Sequence, residues 1–142
     1  MTAGSTLEGK GMLVKNGTAS RIIFDSAVIC AFPQLVLGGM LLDLMNGVLE
    51  FNYTKEELDK VGHRAATLER LFNLNEGGGR EDDYLPGRLS EEPMPEGARK
   101  GSSVPMDQLL DEGYKSFGWD LKNGVPTAET LNNLGLNWAL PG

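Results

Sequence analysis

The chemically capable side chains of this chain reduce to a thiol and a carboxylate. Cys30 is the only cysteine, and it stands five residues after Asp25 in Asp25-Ser-Ala-Val-Ile-Cys30. A thiolate and a carboxylate at this spacing can serve a cofactor but cannot hold one unaided. An iron–sulfur cluster takes about four thiolates, and a structural zinc takes about four ligands. If Cys30 is a ligand, the rest of its site lies outside these 142 residues. Two other readings stay open on local sequence. A free cysteine is often a small buried hydrophobe, and Asp25 can end one helix or cap the next turn.

The remaining candidates point away from independent chemistry. His63 is the only histidine. At about 100° per helical residue it falls on the side opposite Val61, so a solvated ring near Asp59 is expected rather than a general base. Glu81-Asp82-Asp83 lacks the alternating ligands and central glycine of a calcium loop, which leaves a solvated or salt-bridged loop. Gly77-Gly78-Gly79-Arg80 follows a helix and lacks the Gly-Lys-Ser/Thr ending of a phosphate loop. No nucleophile-elbow motif and no Cys-x-x-Cys pair occurs. No catalytic residue is assigned.

The elements that must position Asp25 and Cys30 read as helices. Residues 10–24 carry two conflicting signals. Asn16-Gly17 between apolar neighbours suits a hairpin, whereas Leu13, Gly17, Ser20 and Phe24 recur at helical spacing. Pro33 suits a first helical turn. The chain from there to Met45 is apolar on nearly every face, and Asn46-Gly47 is expected to stop it. Thr54 and Glu57 form a capping box, followed by an apolar stripe of Leu58, Val61, Ala65, Leu68 and Phe72. Glu56 and Lys60 are spaced to pair outside. This helix is expected to reach Asn73–Asn75, with the glycine triplet ending it. Residues 80–104 are charged and interrupted by Pro86, Pro93 and Pro95, and predict an extended surface segment. Pro105 opens a helix with Met106, Leu109, Leu110 and Tyr114 inside, ended by Gly118. A last helix starts at Pro126-Thr127 with Leu131 and Leu134 inside and closes at Gly135, leaving Trp138 to pack back. No segment alternates as a strand does. The expected class is all-α, an irregular multi-helix domain with long charged loops. Residues 1–9 are a disordered or loose lead-in, and 10–142 form the helical domain.

Composition narrows the function classes. Hydrophobic residues make up 40% and charged residues 23%, which fits one globular domain. Thirteen basic against twenty acidic residues give a net charge of −7, which argues against binding to nucleic acid or to an anionic membrane. The stretch from Phe32 to Leu49 is interrupted by Gly38, Gly39, Asp43 and Gly47, a poor membrane span and a good buried helix. Met1 to Gly9 is polar, so no secretory leader is expected. A single cysteine fits a reducing, cytoplasmic setting.

Several stretches, taken in order, resemble one known family. They are Asp25-Ser-Ala-Val-Ile-Cys30, then Leu68-Glu-Arg-Leu-Phe-Asn-Leu-Asn-Glu76-Gly, then Arg80-Glu-Asp-Asp-Tyr-Leu-Pro86-Gly-Arg-Leu89. Met106-Asp-Gln-Leu-Leu-Asp-Glu-Gly-Tyr114, Gly118-Trp-Asp120 and Gly124-Val-Pro-Thr127 continue the series. The set, over about residues 8–136, is similar to the C-terminal region of the aldehyde:ferredoxin oxidoreductases, which use tungsten and sometimes molybdenum. The resemblance implies a metal held between two pterins beside a [4Fe–4S] cluster, and oxidation of an aldehyde with water to a carboxylic acid, with electrons passed to ferredoxin. It implies that Asp25 binds a pterin, that Ile29 contacts it through the backbone, and that Cys30 is the last cluster ligand, in a motif that reads Asp-x-x-Gly-Leu-Cys. It also favours helix over hairpin for residues 10–24.

Two positions depart from that pattern. Val28 replaces the motif glycine, and a β-branched residue resists φ > 0 and close backbone approach. An altered pterin fit or another loop shape is therefore expected. Asn75 stands where many relatives carry arginine. The other cluster cysteines, the other pterin motif and the catalytic acid and histidine of the family are absent from this sequence. The chain thus reads as the last part of an enzyme: a truncated piece, a broken gene, or a subunit complementing a second polypeptide that supplies the N-terminal cofactor-binding portion. Alone it is expected to be inactive, to hold no cluster, and to self-associate through the apolar surface of Phe32 to Leu49. The alternative is a helical interaction module that keeps the fold without the redox chemistry.

Overall fold

The computed structural model describes residues 7–30, 32, 36 and 39–139. Among these, six α-helices occur: α1 Lys10–Ser26, α2 Met40–Leu49, α3 Lys55–Asn75, α4 Gly87–Ser90, α5 Met106–Phe117 and α6 Ala128–Leu134. Two single 3-10 turns, Arg80–Asp83 and Asn137–Ala139, complete the set. The one β-type contact among the described residues is an isolated antiparallel bridge between Trp119 and Pro126. The class is all-α, as expected.

Helix α1 packs against both α3 and α5 and so organises the domain. It runs through Asn16-Gly17 without a break, which settles the conflict between hairpin and helix. Its approach to α3 is set by Gly62. A Cβ there would lie 2.5 Å from the carbonyl oxygen of Ala19, itself buried on α1. Its approach to α5 is set by Gly11, where a Cβ would lie 2.2 Å from the carbonyl oxygen of Glu112. The Gly11 amide donates to Glu112 Oε2 at 3.1 Å. The carboxylate thereby satisfies a free N–H and complements the positive end of α1.

The buried face of each long helix differs from the expected stripe. On α3 the enclosed positions are Leu58, Gly62, Ala66, Thr67 and Arg70, while Val61 and Phe72 are exposed. On α1 they are Gly11, Ala19, Ile23 and Phe24, and Leu13 is exposed. In both helices the closest packing uses glycine and alanine, which bring backbones together but carry little hydropathy signal. The capping box is present: Thr54 Oγ1 accepts from the Glu57 amide at 3.2 Å, and the Thr54 amide donates to Glu57 Oε2 at 2.8 Å. The i,i+4 pair on the outside of α3 is Lys55–Asp59, at 2.5 Å, rather than Glu56–Lys60.

Helix α2 does not stop at Asn46-Gly47. It continues to Leu49, and Glu50 takes the left-handed cap. The Asn46 side chain instead ties down the α2–α3 connection. Its Nδ2 donates to the Tyr53 carbonyl at 2.9 Å, and its Oδ1 accepts from the Tyr53 amide at 3.0 Å. The expected start at Pro33 lies outside the described residues, as do residues 1–6 of the lead-in. Residues 80–104 follow the surface largely as expected, but with the 3-10 turn and α4 within them. Helices α5 and α6 end on left-handed Gly118 and Gly135 as read from sequence. Trp138 does not pack back; it is exposed.

Candidate functional site

Asp25 and Cys30 lie at the C-terminal end of α1, where the chain turns sharply. The Ile29 amide donates to the Phe24 carbonyl at 3.0 Å, and the Val28 amide donates to the Asp25 carbonyl at 3.1 Å. These two bonds around one left-handed residue are the closing pattern of a glycine-type helix stop. The left-handed residue is Val28, with φ of 58°. Ile29 packs against the cluster of Ile23, Phe24, Leu41 and Leu58, supplying the apolar contact between the last turn and the residue beyond it that accompanies such stops.

Val28 bears on the expectation at the backbone, because its residue type resists φ > 0. It adopts the conformation suited to glycine, at a cost of about 1–2 kcal/mol for an L-residue. Two backbone hydrogen bonds and the partial burial of Ile29 offset that cost. The Val28 side chain projects outward, 91% exposed.

Cys30 is exposed, so the buried-thiol reading fails. Asp25 is also exposed and accepts at Oδ2 from Arg21 Nε at 2.8 Å. That hydrogen bond is the largest cause holding the Arg21 guanidinium above its usual pKa; Cys30 adds a smaller electrostatic contribution. The same cation thus senses both acidic groups. Sequence reading missed Arg21, although its i,i+4 spacing from Asp25 was a usable signal. Asp25 Oδ1 accepts no hydrogen bond among the described residues, so half of the carboxylate faces solvent ready to accept donors. Asn75 is exposed and reaches only Glu76, at 3.4 Å.

Among the described residues, no group of three or more His, Cys, Asp or Glu side chains is placed to hold a metal ion. At this end of α1 the chain presents one exposed thiol and one exposed carboxylate.

Beside the C-terminal end of α1 lies an apolar hollow of about 440 Å³ between α1, α2 and α3. Ile22, Ile29, Leu44, Val48, Leu49 and Val61 are among its lining residues. Phe32, Val36 and Met40 are exposed nearby in sequence. The region read as a buried helix therefore leaves much of its apolar surface uncovered in this chain.

A second polar centre went unread. Arg70 is 7% exposed and is the hub of the other end of the molecule. Its Nε donates to the Gly124 carbonyl at 2.9 Å, its Nη1 pairs with Asp83 at 2.9 Å, and its Nη2 donates to Tyr114 Oη at 3.3 Å. Tyr114 Oη donates in turn to Asp83. The Arg70 guanidinium carbon lies 5.5 Å from the Tyr114 ring centre and 5.3 Å from that of Trp119. Arg80 lies 5.2 Å from the Tyr114 ring and pairs with Asp111 at 2.8 Å. Burial first, and Asp83 second, push the Tyr114 phenol up to about 12. Asp83 is thus a salt-bridged residue, consistent with the loop reading of Glu81-Asp82-Asp83. The network pins the 80–84 turn and the 118–127 turn onto α3 and α5. It is structural; nothing in it faces the Cys30 end.

His63 is half-buried rather than solvated, and its Nδ1 is enclosed with no hydrogen-bond partner among the described residues. Burial lowers its pKa, Lys15 of α1 lowers it further, and Asp59 opposes both. The close α1–α3 approach at Gly62 brings α1 up against a residue that the helical wheel placed outside.

A family model described as "Aldehyde ferredoxin oxidoreductase, domains 2 & 3" matches residues 1–136. The chain is 41% identical over 116 residues to the tungsten-containing aldehyde ferredoxin oxidoreductase of Pyrococcus furiosus, covering 80% of this chain and 19% of that protein. It is 37% identical over 116 residues to the protein of the same name from Thermococcus kodakarensis, with the same coverage. It is 31% identical over 147 residues to the aliphatic sulfonate oxidoreductase, WOR-like subunit, of Pyrococcus furiosus, covering 97% of this chain and 23% of that protein. The chain spans about a fifth of the length of these relatives.

Proposed function

Because this chain belongs to the aldehyde ferredoxin oxidoreductase family and corresponds to its C-terminal region, we propose that it supplies half of a cofactor site. Cys30 is one thiolate ligand of a [4Fe–4S] cluster, and Asp25 hydrogen-bonds a pterin of a tungsten- or molybdenum-bis-pterin. Ile29 contributes backbone contact between them. The observation that carries this reading is the helix stop after α1. It holds the turn between Asp25 and Cys30 even though Val28 disfavours it, and it leaves both functional groups in solvent.

The chain's own residues would act as follows. The Asp25 carboxylate accepts N–H donors from a planar ring, with Oδ2 shared with Arg21 and Oδ1 without a partner among the described residues. The Arg21 cation holds Oδ2 of the carboxylate through its Nε at 2.8 Å and so orients the Asp25 side chain. Ile29, partly buried against Ile23, Phe24, Leu41 and Leu58, helps fix the backbone so that the thiolate and the carboxylate are presented together. When bound, the pterin-held metal and the cluster supply oxidation of an aldehyde to a carboxylate and transfer of electrons to ferredoxin. The chain by itself is inactive and carries no cluster.

The exposed apolar surface of α2 and the neighbouring hollow fit a second polypeptide that carries the N-terminal cofactor-binding portion. In its absence they fit self-association. Co-expression with a polypeptide carrying the remaining cluster cysteines tests the reading. A co-purified complex containing tungsten or molybdenum and iron is the expected result. A stable complex free of metal would instead favour an interaction module that has lost the chemistry.

A further inference from the structure

At the α1 start, far from the Cys30 end, lies a depression of about 850 Å³. Lys10 of α1, Arg88 of α4, and Arg99 and Lys100 of the following loop line it, with Glu92 as the one acidic residue in the lining. Among the described residues none of these four cations is in an ion pair. They stand together on a chain whose net charge is −7. Between them the lining is apolar and open: Leu89 and Met94 are each about half exposed. The loop that carries Arg99 and Lys100 is ordered by its own backbone. The Met94 amide donates to the Ser102 carbonyl, and the Gly101 amide donates to the Met94 carbonyl, each at 2.9 Å.

We infer that this groove docks a segment of another protein that combines acidic side chains with apolar ones. The cations come from three separate segments of the chain, which suits an extended chain rather than a single small anion. The apolar floor requires side chains that bury there, since exposed ion pairs alone contribute little. A nucleic acid offers charge without such side chains, and the overall negative field repels its backbone. The groove is a holding surface and not an electron port. Lys10 and Ser26 are the ends of α1, so the groove lies about 24 Å along that helix from the Cys30 end. The inference does not depend on Cys30 being a cluster ligand.

The test is fluorescence anisotropy with the 142-residue chain and a labelled peptide of about ten residues alternating Glu and Leu. Saturable binding that weakens with added salt is expected. The double variant Arg99→Glu/Lys100→Glu, its fold checked by circular dichroism, should raise the Kd about tenfold. A peptide with Lys in place of each Glu should not bind. Equal binding by that peptide, equally tight binding by a glutamate peptide without leucine, or an unchanged Kd in the variant would each overturn the inference. Self-association abolished by the same charge reversal would also overturn it, by assigning the groove to a second copy of the chain.

Discussion

The Ile29 amide bonds to the Phe24 carbonyl at 3.0 Å, and this single contact sets the direction in which Cys30 leaves α1. It can form only if the residue before Ile29 turns left-handed. Val28 does so at φ 58°, with a side chain that is almost wholly exposed and gains little from packing. Val28→Gly should therefore remove backbone strain and lose almost nothing else. The expected gain is about 1 kcal/mol, or roughly 3 °C in Tm. Thermal denaturation checks it. A destabilised Val28→Gly variant would mean that the valine side chain supports the turn.

Truncations in the Arg70 network should cost far more than its surface neighbours do. Tyr114→Phe removes the hydroxyl that donates to Asp83 and accepts from Arg70, at about 1–3 kcal/mol. Arg70→Met leaves Asp83 and the Gly124 carbonyl without their buried partner, at about 3 kcal/mol or more. Urea denaturation measures both. The Tyr114 phenol should also resist ionisation until pH nears 12, which alkaline difference absorbance of wild type against Tyr114→Phe reads directly.

His63 makes acid stability a test of the α1–α3 seam. Its folded-state pKa is lowered by burial, so the folded state binds this proton less readily than the unfolded chain. The contribution is present above about pH 6.5 and is lost as pH falls below that value. His63→Gln should flatten this part of the stability profile between about pH 7 and 5, measured by urea midpoints. A profile unchanged by the substitution would show that the ring is solvated after all.

Val36, Met40 and Val48 are exposed apolar residues in and just before α2. The isolated chain should self-associate at about 100 μM through these residues, and added salt should not reverse it, because burial of apolar surface rather than charge drives it. Light scattering across a concentration series gives the answer, with a monomer at every concentration as the contrary result.

Legibility in the sequence followed the type of signal. The α3 capping box and the glycine ends of α5 and α6 were readable because each rests on local backbone chemistry. Cys30 stood out in the sequence because it is the only cysteine, and the structure places it in solvent. The buried faces were misread where packing depends on the absence of a side chain: Gly62 against Ala19, and Gly11 against Glu112. Arg70 escaped notice because a charged residue in a helix reads as solvent-facing. Its burial depends on Asp83, Tyr114 and Gly124, which only the tertiary fold assembles. Val28 shows the reverse case. The sequence rule correctly marked it as the wrong residue for the turn, but two backbone hydrogen bonds and the packing of partly buried Ile29 support the conformation.

The most direct test of the account is the iron content of an anaerobically purified complex between this chain and a polypeptide bearing the other cluster thiolates, compared with the same complex carrying Cys30→Ser. Cys30 is exposed, so the substitution should leave the Tm of the chain unchanged. The account predicts about four irons per wild-type complex and a clear loss in the variant, with the low-temperature EPR signal of the cluster lost or altered. Full iron and an unaltered signal in the Cys30→Ser complex would contradict it.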